Sequence, residues 1–160
     1  MELVRHRLCA FSQESTRYVD YSDDAKTEGH CQFIIPLWCP IIPEGCFTWD
    51  MARQTLITVD NKFIPIVDSG SYLWLTAMQE AEDSYKRMAD LGWKPQQARS
   101  VLPNSTKTEI VMSTNLREWR HVLKMRTSSQ AHPQIREIMM PLLNEFKVHL
   151  PEIFDDIEVK

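Results

Sequence analysis

The segment from Ser71 to about Leu91 constrains the fold more than any other part of the chain. Large apolar side chains recur there at spacings of three and four residues, at Trp74, Met78, Ala81, Tyr85 and Met88. This period is that of an α-helix with one apolar face. Ser71 is the predicted N-cap and Gly92 the predicted stop. Such a stripe indicates a helix packed on a core rather than a ligand site.

Further helices are predicted in the second half of the chain. One begins near Thr114 or Asn115, both acceptable N-caps, and runs to about Arg126. Another begins at Pro133, and its apolar face consists of Ile135, Ile138, Met139, Leu142, Leu143 and Phe146. Residues 96–102 suggest one or two helical turns. The longest periodic segments of the chain are therefore helical.

Extended segments are shorter and lie between the helices. Residues 55–67 resemble two extended pieces around a turn at Asp60 and Asn61. Residues 106–114 alternate and are rich in β-branched side chains, so we predict a strand. Residues 31–48 are apolar and interrupted by prolines, which favours packed extended chain over helix. Without regular βαβ alternation, this mixture predicts an α+β class and a single domain over residues 1–160.

Charge and hydropathy exclude some classes of protein. The net charge of −4 argues against a general binder of nucleic acid or of membrane surfaces. The longest apolar run, residues 33–43, is about half the ~20 residues that a membrane-spanning helix needs. No secretion signal opens the sequence. We therefore expect a cytoplasmic protein with neither a membrane nor a nucleic acid as partner.

The four cysteines, Cys9, Cys31, Cys39 and Cys46, are irregularly spaced and form no CxxC motif. A chain of this size does not need disulfides, so reduced and mostly buried thiols are expected. A metal site formed by His30 and Cys31 with Cys39 or Cys46 is the alternative, but this spacing matches no common zinc pattern. We expect no metal.

The opening segment concentrates groups that can bind an anion. Arg5, His6, Arg7 and Arg17 lie among hydroxyl and amide side chains. Arginine forks bind phosphate oxygens in pairs, and hydroxyl groups add short charge-assisted hydrogen bonds. The set suits a nucleotide, and a solvated basic terminus is the alternative.

The helix after Asn115 carries a second signal. At 100° per residue, Arg126 falls on the same stripe as Asn115, Trp119 and Val122. An arginine on a packed face needs a partner there, because an unpaired buried charge costs several kcal/mol. Alternatively, Arg126 caps the helix C-terminus. Arg99, before Pro103, is either a third anion anchor or a surface arginine.

These residues resemble a known family. Arg5, His6 and Arg7, followed by seven residues and Ser15, match the RHRx7S signature of the flavin-dependent thymidylate synthases. The likeness covers residues 5–21, which read RHRLCAFSQESTRYVDY. It continues in ARSVLP at 98–103 and in TNLREWRHVLKMRTSSQAHPQIRE at 114–137.

The resemblance implies reductive methylation of dUMP to dTMP. In that family FAD is the cofactor, NADPH and methylenetetrahydrofolate are co-substrates, and no cysteine is the nucleophile. The protein binds, orients and polarises the substrates and the cofactor. The flavin takes part in the redox step and the one-carbon transfer. The family also implies helices packed with a small, mainly antiparallel sheet, and a homotetramer with active sites at subunit interfaces.

The site residues are carried over position by position from the family. The positions that match FAD contacts are Arg5, His6, Arg7, Gln13, Asn115, Arg117 and His121. Those that match dUMP contacts are Gln13, Glu14, Ser15, Thr16, Arg17, Arg99 and Arg126. Arg126 is also the predicted catalytic residue, because it matches the position that stabilises ionised uracil N3 and so enriches C5 in electrons.

The sequence departs from the family pattern at its start. Members normally have some tens of residues before RHR, and here only four precede it. We therefore expect an N-terminally short domain, with Glu2 only weakly matched to a dUMP contact. Two alternatives follow: a truncated, catalytically impaired remnant that binds dUMP and FAD, and an interaction module without a ligand.

Overall fold

The computed structural model describes residues 3–21, 29–39, 42–43, 45 and 47–159. The chain divides into two compact units, Met1–Gln13 with Ile110–Lys160, and Glu14–Glu109. We call these the first and the second unit. In chain order the strands and α-helices are β1 (Ala10–Gln13), β2 (Phe47–Asp50), β3 (Thr55–Thr58), β4 (Phe63–Pro65), α1 (Ser69–Asp90), α2 (Pro95–Ala98), β5 (Ile110–Ser113), α3 (Leu116–Arg126), α4 (Pro133–His149) and α5 (Pro151–Phe154). Single 3₁₀ turns cover Leu3–Arg5 and Arg99–Val101.

The first unit combines an antiparallel β1–β5 pair with helices α3, α4 and α5. Its core is formed by buried apolar side chains of the three helices and the C-terminal segment, at Val122, Leu123, Met139, Leu143, Phe154 and Ile157. Phe146 packs between Trp119 and Phe154, with ring centroids 5.2 and 4.8 Å away. This core buries or partly buries the face predicted for α4, with the exception of Ile138, which is 62% exposed, and it contains Trp119 and Val122 of the stripe predicted for α3.

The second unit contains a three-stranded antiparallel sheet in the order β2-β3-β4, and helix α1. Helix α1 contributes to two buried clusters. Leu75 packs with Trp49 and Leu56 of the sheet, whereas Tyr85 packs with Tyr21. The Tyr85 hydroxyl accepts a hydrogen bond from the Tyr21 N–H at 3.3 Å. The aromatic stripe of α1 is therefore core, as predicted.

The ends of α1 show where the sequence prediction was right and where it was wrong. The N-cap is Asp68, not Ser71, because the Asp68 carboxylate accepts from the backbone N–H groups of Gly70 and Ser71 at 3.3 and 2.7 Å. Ser71 itself is fully buried within the helix. At the other end Gly92 stops the helix, as predicted.

The strand predicted over 106–114 is shorter than expected. Only Ile110–Ser113 pairs as β5, opposite β1. Earlier in the segment, Thr106 forms an isolated bridge with Phe33, and the Lys107 N–H donates to the Gln32 carbonyl at 2.8 Å. The segment therefore bonds to two different partners in succession, which period-2 alternation cannot reveal.

Three other predictions agree with the structure. Asn115 is the N-cap of α3, and its side-chain oxygen accepts from the Glu118 N–H. Helix α4 starts at Pro133, and β3 and β4 flank a turn in which Asn61 has a positive φ of 58°. The α+β class with antiparallel strands is confirmed, while the single domain stays a prediction. Among the helices of the described residues, none is both long and apolar enough to cross a membrane.

Gly92 provides a test of how α1 ends. Its φ is +85°, and its N–H and that of Trp93 donate to the carbonyls of Ala89 and Met88, which is a Schellman motif. A Cβ at Gly92 would meet no atom within 4 Å. Gly92→Ala should therefore lower the free energy of unfolding by about 1 kcal/mol through backbone strain alone.

The control for this prediction is Gly70→Ala in the first turn of the same helix. A Cβ there meets only the Asp68 carboxylate, at ordinary contact distances of 3.6 and 3.7 Å. Alanine favours helix over glycine, so this variant should be neutral or slightly stabilised in urea unfolding. Equal effects of the two substitutions would contradict the assignment.

Candidate functional site

A buried hydrogen bond joins the two motif blocks within the first unit. The Arg126 Nε–H donates to His6 Nε2 at 3.0 Å. Arg126 and His6 are 7% and 5% exposed, so both are shielded from water. Arg126 faces the packed side of α3 because it shares a helical row with the fully buried Val122. The stripe predicted from the sequence is the row that the fold turns inward.

Two further side chains of α3 surround His6. Glu118 Oε1 lies 3.6 Å from His6 Nδ1, and the His121 ring lies edge-on with a centroid distance of 5.7 Å. Burial lowers the pKa of His6, the Arg126 cation adds to this effect, and the Glu118 carboxylate opposes it. His6 is therefore held neutral at physiological pH. We call His6, Glu118, His121 and Arg126 the His6 network.

The His6 network contains three groups that are spaced as metal ligands can be. One ligand atom each of His6, Glu118 and His121 lies within 4.8 Å of the others. Arg126 argues against a cation there, because its guanidinium donates to the His6 ring and repels positive charge. The alternative site around His30 and Cys31 is not such a group in the part of the chain that the structure describes. His30 Nδ1 lies instead 3.0 Å from Glu82 Oε1.

The cysteines behave as expected where the structure describes them. Cys9, Cys31 and Cys39 are free thiols, and the last two are buried. Burial raises the pKa of Cys31 to about 12, so this thiol stays protonated and unreactive. Cys46 lies outside the described residues.

The remaining flavin candidates of the first unit are accessible. Their side chains are all exposed, at Arg5, Arg7, Gln13, Asn115, Arg117 and His121. Because the side-chain oxygen of Asn115 caps α3, a contact from Asn115 to a ligand would use its amide nitrogen. His6 alone among the flavin candidates is buried. The exposed donors are therefore accessible to a ligand, whereas the buried His6 is not exposed to solvent.

One basic residue of α3, Arg120, pairs with a carboxylate of the C-terminal segment. Arg120 forms a two-pronged ion pair with Asp156, with both N–O distances at 2.6 Å. This pairing raises the pKa of Arg120 and lowers that of Asp156. Arg120 thus ties α3 to the C-terminal segment, which distinguishes it from the neighbouring Arg117 and His121.

In the second unit the fold brings together two dUMP candidates that are far apart in sequence. The Arg99 guanidinium donates to the Thr16 hydroxyl at 3.0 Å. Thr16 belongs to the signature loop and Arg99 to the ARSVLP block, 83 residues later. Both side chains are outside the core, and Arg99 is exposed. A cation and a hydroxyl group are thereby placed side by side, as an anion site requires.

Neighbouring contacts shape the rest of the loop. The Ser15 hydroxyl accepts from the Arg17 N–H at 3.3 Å, and the Ser15 carbonyl accepts from Tyr18 and Val19 in a tight turn. Arg17 donates to the Tyr18 hydroxyl at 2.7 Å and lies 5.1 Å from the ring centroid. The Glu14 N–H donates to the Glu109 carbonyl. The loop is therefore anchored by its backbone, while its polar side chains remain near the surface.

Sequence reasoning missed Glu118. A carboxylate in the first turn of a helix interacts favourably with the helix dipole, so its residue type there did not mark it as part of a site. However, Glu118, Val122 and Arg126 recur every four residues and therefore share one row of the helix. The acidic Glu118 and the basic Arg126 share this row with the apolar Val122. This pairing of opposite charges on one row was the signal that could have identified Glu118.

The fold and the site define an α+β protein in which two separated blocks of sequence meet at a buried His–Arg pair. A family model described as thymidylate synthase complementing protein matches residues 1–152. The chain belongs to this family, which confirms the resemblance drawn from the motifs.

Curated relatives support the same placement. The flavin-dependent thymidylate synthase of Mycobacterium marinum is 34% identical over 160 residues, which are 99% of this chain and 56% of that protein. The enzyme of the same name from Corynebacterium glutamicum is 31% identical over 174 residues, covering 99% and 57%. The chain thus spans little more than half the length of these relatives.

Solved structures show the same fold. A crystal structure of thymidylate synthase X from Helicobacter pylori with FAD and dUMP has a TM-score of 0.60 at 21% identity, covering 98% of this chain and 65% of that one. The UMP/dUMP methylase PolB from Streptomyces cacaoi, bound to 5-Br UMP, has a TM-score of 0.64 at 20% identity, covering 96% and 66%. At these identities the likeness is one of fold.

The lowered pKa of His6 predicts a pH-dependent stability. Below the ordinary histidine value of 6.5, the unfolded chain binds a proton that the folded chain does not. The free energy of unfolding contributed by neutral His6 is therefore present above 6.5 and is lost as the pH falls below it. Urea unfolding of the wild type and of His6→Gln should show a smaller loss on acidification in the variant.

The control is His149→Gln, which removes an exposed histidine of the same unit. This variant should lose as much stability on acidification as the wild type. If His6→Gln did so too, His6 would not be the group that titrates.

Proposed function

We propose that this chain carries out, as a flavin-dependent thymidylate synthase, the reductive methylation of dUMP to dTMP. Methylenetetrahydrofolate would supply the carbon, and NADPH would reduce the bound FAD. The observation that carries the proposal is the buried Arg126–His6 hydrogen bond, which links the RHR motif to the second motif block across 120 residues. Membership of the family supports the reaction class.

We propose FAD as the cofactor, held by the first unit. The donor set fits it chemically, because Arg5, Arg7, Arg117 and His121 expose cationic or neutral N–H groups to solvent. Flavin carbonyl and pyrophosphate oxygens are acceptors for such groups. Gln13 and the Asn115 amide nitrogen would add neutral donors. When bound, FAD supplies the redox chemistry that these side chains lack.

We propose that the nucleotide phosphate is recognised by the loop of the second unit. Ser15, Thr16 and Arg17 there combine hydroxyl groups with a guanidinium. The Arg99–Thr16 hydrogen bond supports this assignment, because it places a second cation beside the loop. Glu14 of the same loop would address neutral polar groups of dUMP. For Gln13, which belongs to the first unit, the family resemblance is the support for a dUMP contact.

Arg126 is proposed as the catalytic residue. A cation at uracil N3 would stabilise the ionised ring and raise the electron density at C5, where the one-carbon unit is accepted. Its burial supports this role, because a charge shielded from water acts more strongly on a neighbouring one. Neutral His6 accepts a hydrogen bond from the Arg126 Nε–H.

The second candidate function is a chain that binds dUMP and FAD without turnover. The chain spans 56% of its M. marinum relative. A homotetramer with active sites at subunit interfaces, and a cytoplasmic location, belong to the first proposal. The net charge of −4 supports small-molecule rather than nucleic-acid partners.

The deciding experiment is dTMP formation by the purified 160-residue chain with FAD, NADPH, methylenetetrahydrofolate and dUMP. Turnover would establish the first candidate. Binding of FAD or dUMP without turnover would establish the second. A chain that binds neither would contradict both.

Arg126→Ala should separate catalysis from cofactor binding. Loss of one preorganised cation should lower the rate of dTMP formation about 10²- to 10³-fold, while flavin absorbance stays with the protein. The matched control is Lys124→Ala, an exposed lysine of the same helix, which should retain its rate. Normal dTMP production by Arg126→Ala would exclude the catalytic role.

Ser15→Ala should affect the binding of dUMP but not the binding of FAD. Removing a hydroxyl group that binds a phosphate should weaken dUMP about 10-fold, as measured by calorimetry, and leave FAD affinity unchanged. Ser69→Ala, at an exposed serine of the same unit, is the control. Equal loss of both ligands in Ser15→Ala would indicate a collapsed loop instead.

A further inference from the structure

We propose that Glu118 is a positioning residue that selects the tautomer of His6 and thereby fixes the direction of the Arg126 guanidinium. The tautomer assignment concerns the protein without ligands. Only its consequence for turnover rests on the proposed function. Three observations carry it: the direction of the Arg126–His6 hydrogen bond, the Glu118 carboxylate 3.6 Å from His6 Nδ1, and the burial of these groups.

The first step is the bond between Arg126 and His6. Guanidinium nitrogens donate and never accept, so the Arg126 Nε–H must be the donor over the 3.0 Å to His6 Nε2. His6 Nε2 therefore carries a lone pair and no proton. A neutral imidazole then has its single proton on Nδ1.

The second step is the placement of Glu118 at that other nitrogen. Its carboxylate oxygen lies 3.6 Å from His6 Nδ1, and the two side chains are only 11% and 4% exposed. A carboxylate can only accept, so it favours the tautomer with the proton on Nδ1. Shielding from water strengthens this preference, because water is a poor competitor there.

Helix α3 holds Glu118 and Arg126 in fixed positions relative to each other. Glu118 and Arg126 lie two helical turns apart on one row of α3, whose first turn is fixed by the Asn115 cap on the Glu118 N–H. The His6 ring bridges an anion and a cation of the same helix. Their charges offset one another within the buried network, which reduces the cost of burying either. His121 packs edge-on against the ring at 5.7 Å.

Losing the acceptor at Nδ1 would leave a buried N–H without that partner and would weaken this selection. The proton of His6 could then move to Nε2, where it would face the Arg126 Nε–H, donor against donor. The guanidinium would have to turn away from the ring. Glu118 would thus control the direction of Arg126 without touching a ligand.

The direct test is the protonation state of the His6 ring nitrogens, read from ¹⁵N NMR of the 160-residue chain without ligands at a pH of about 8, above the ordinary histidine pKa. We expect a proton on Nδ1 in the wild type. Glu118→Met fills the same volume without an acceptor and should shift His6 toward the Nε2–H tautomer. Glu118→Gln keeps an acceptor oxygen and should retain the wild-type tautomer.

The matched control is Glu145→Met, at a second Glu–His pair of the same unit. Glu145 lies 3.7 Å from His149, and both side chains are more than 70% exposed. Removing this exposed carboxylate should leave the His6 signals unchanged. Thermal unfolding of each variant shows that the fold is retained.

The kinetic test follows from the proposed function. Glu118→Met should lower kcat for dTMP formation roughly 5-fold, the loss expected for one hydrogen bond, and leave the KM for dUMP nearly unchanged. Glu118→Gln should recover most of kcat. A purely structural role would instead lower the amount of folded protein and affect Glu118→Gln and Glu118→Met alike.

Two results would overturn the proposal. One is a wild-type His6 with its proton on Nε2, which needs no folded variant to be seen. The other is a Glu118→Met chain with an unchanged His6 tautomer. A wild type without turnover would refute the proposed function while the tautomer measurement still decides the role of Glu118.

Discussion

The hydrogen bond between Arg126 and His6 is the interaction on which the rest of the first unit depends. A guanidinium that is 7% exposed would be strongly destabilising without partners, since its desolvation costs several kcal/mol. The neutral His6 ring accepts a hydrogen bond from its Nε–H. The opening segment must therefore lie against α3, although 120 residues separate the two in sequence.

Helix α3 is the frame that makes this contact precise. The Asn115 cap defines its start and the core residues Val122 and Leu123 fix its rotation. Its inward row carries Glu118 and Arg126, and its exposed positions carry Arg117 and His121. One helix thus presents buried groups that set protonation and exposed groups available to a ligand, which follows from a period of 3.6 residues.

The long periodic helices were predictable, and the contacts of short segments were not. Apolar side chains at three- and four-residue spacing predict helices α1, α3 and α4. The cap at Asp68 was missed because Ser71, three residues later, is an equally acceptable capping residue by type. Residues 106–109 were predicted as strand because they alternate, yet Thr106 and Lys107 bond to Phe33 and Gln32 rather than continuing β5. Local patterns report the conformation of a segment but not its partner.

The sequence by itself determined the family, the helical periods and the row that turns Arg126 inward, because each of these depends on residue type and spacing alone. Tertiary structure decided what Arg126 meets, that Glu118 stands on the other side of His6, and that Arg99 reaches Thr16. Each of these is a contact between segments distant in the chain, formed by chain folding and burial. The protonation state of a histidine belongs to the same group, since it is set by the donors and acceptors that folding places around the ring.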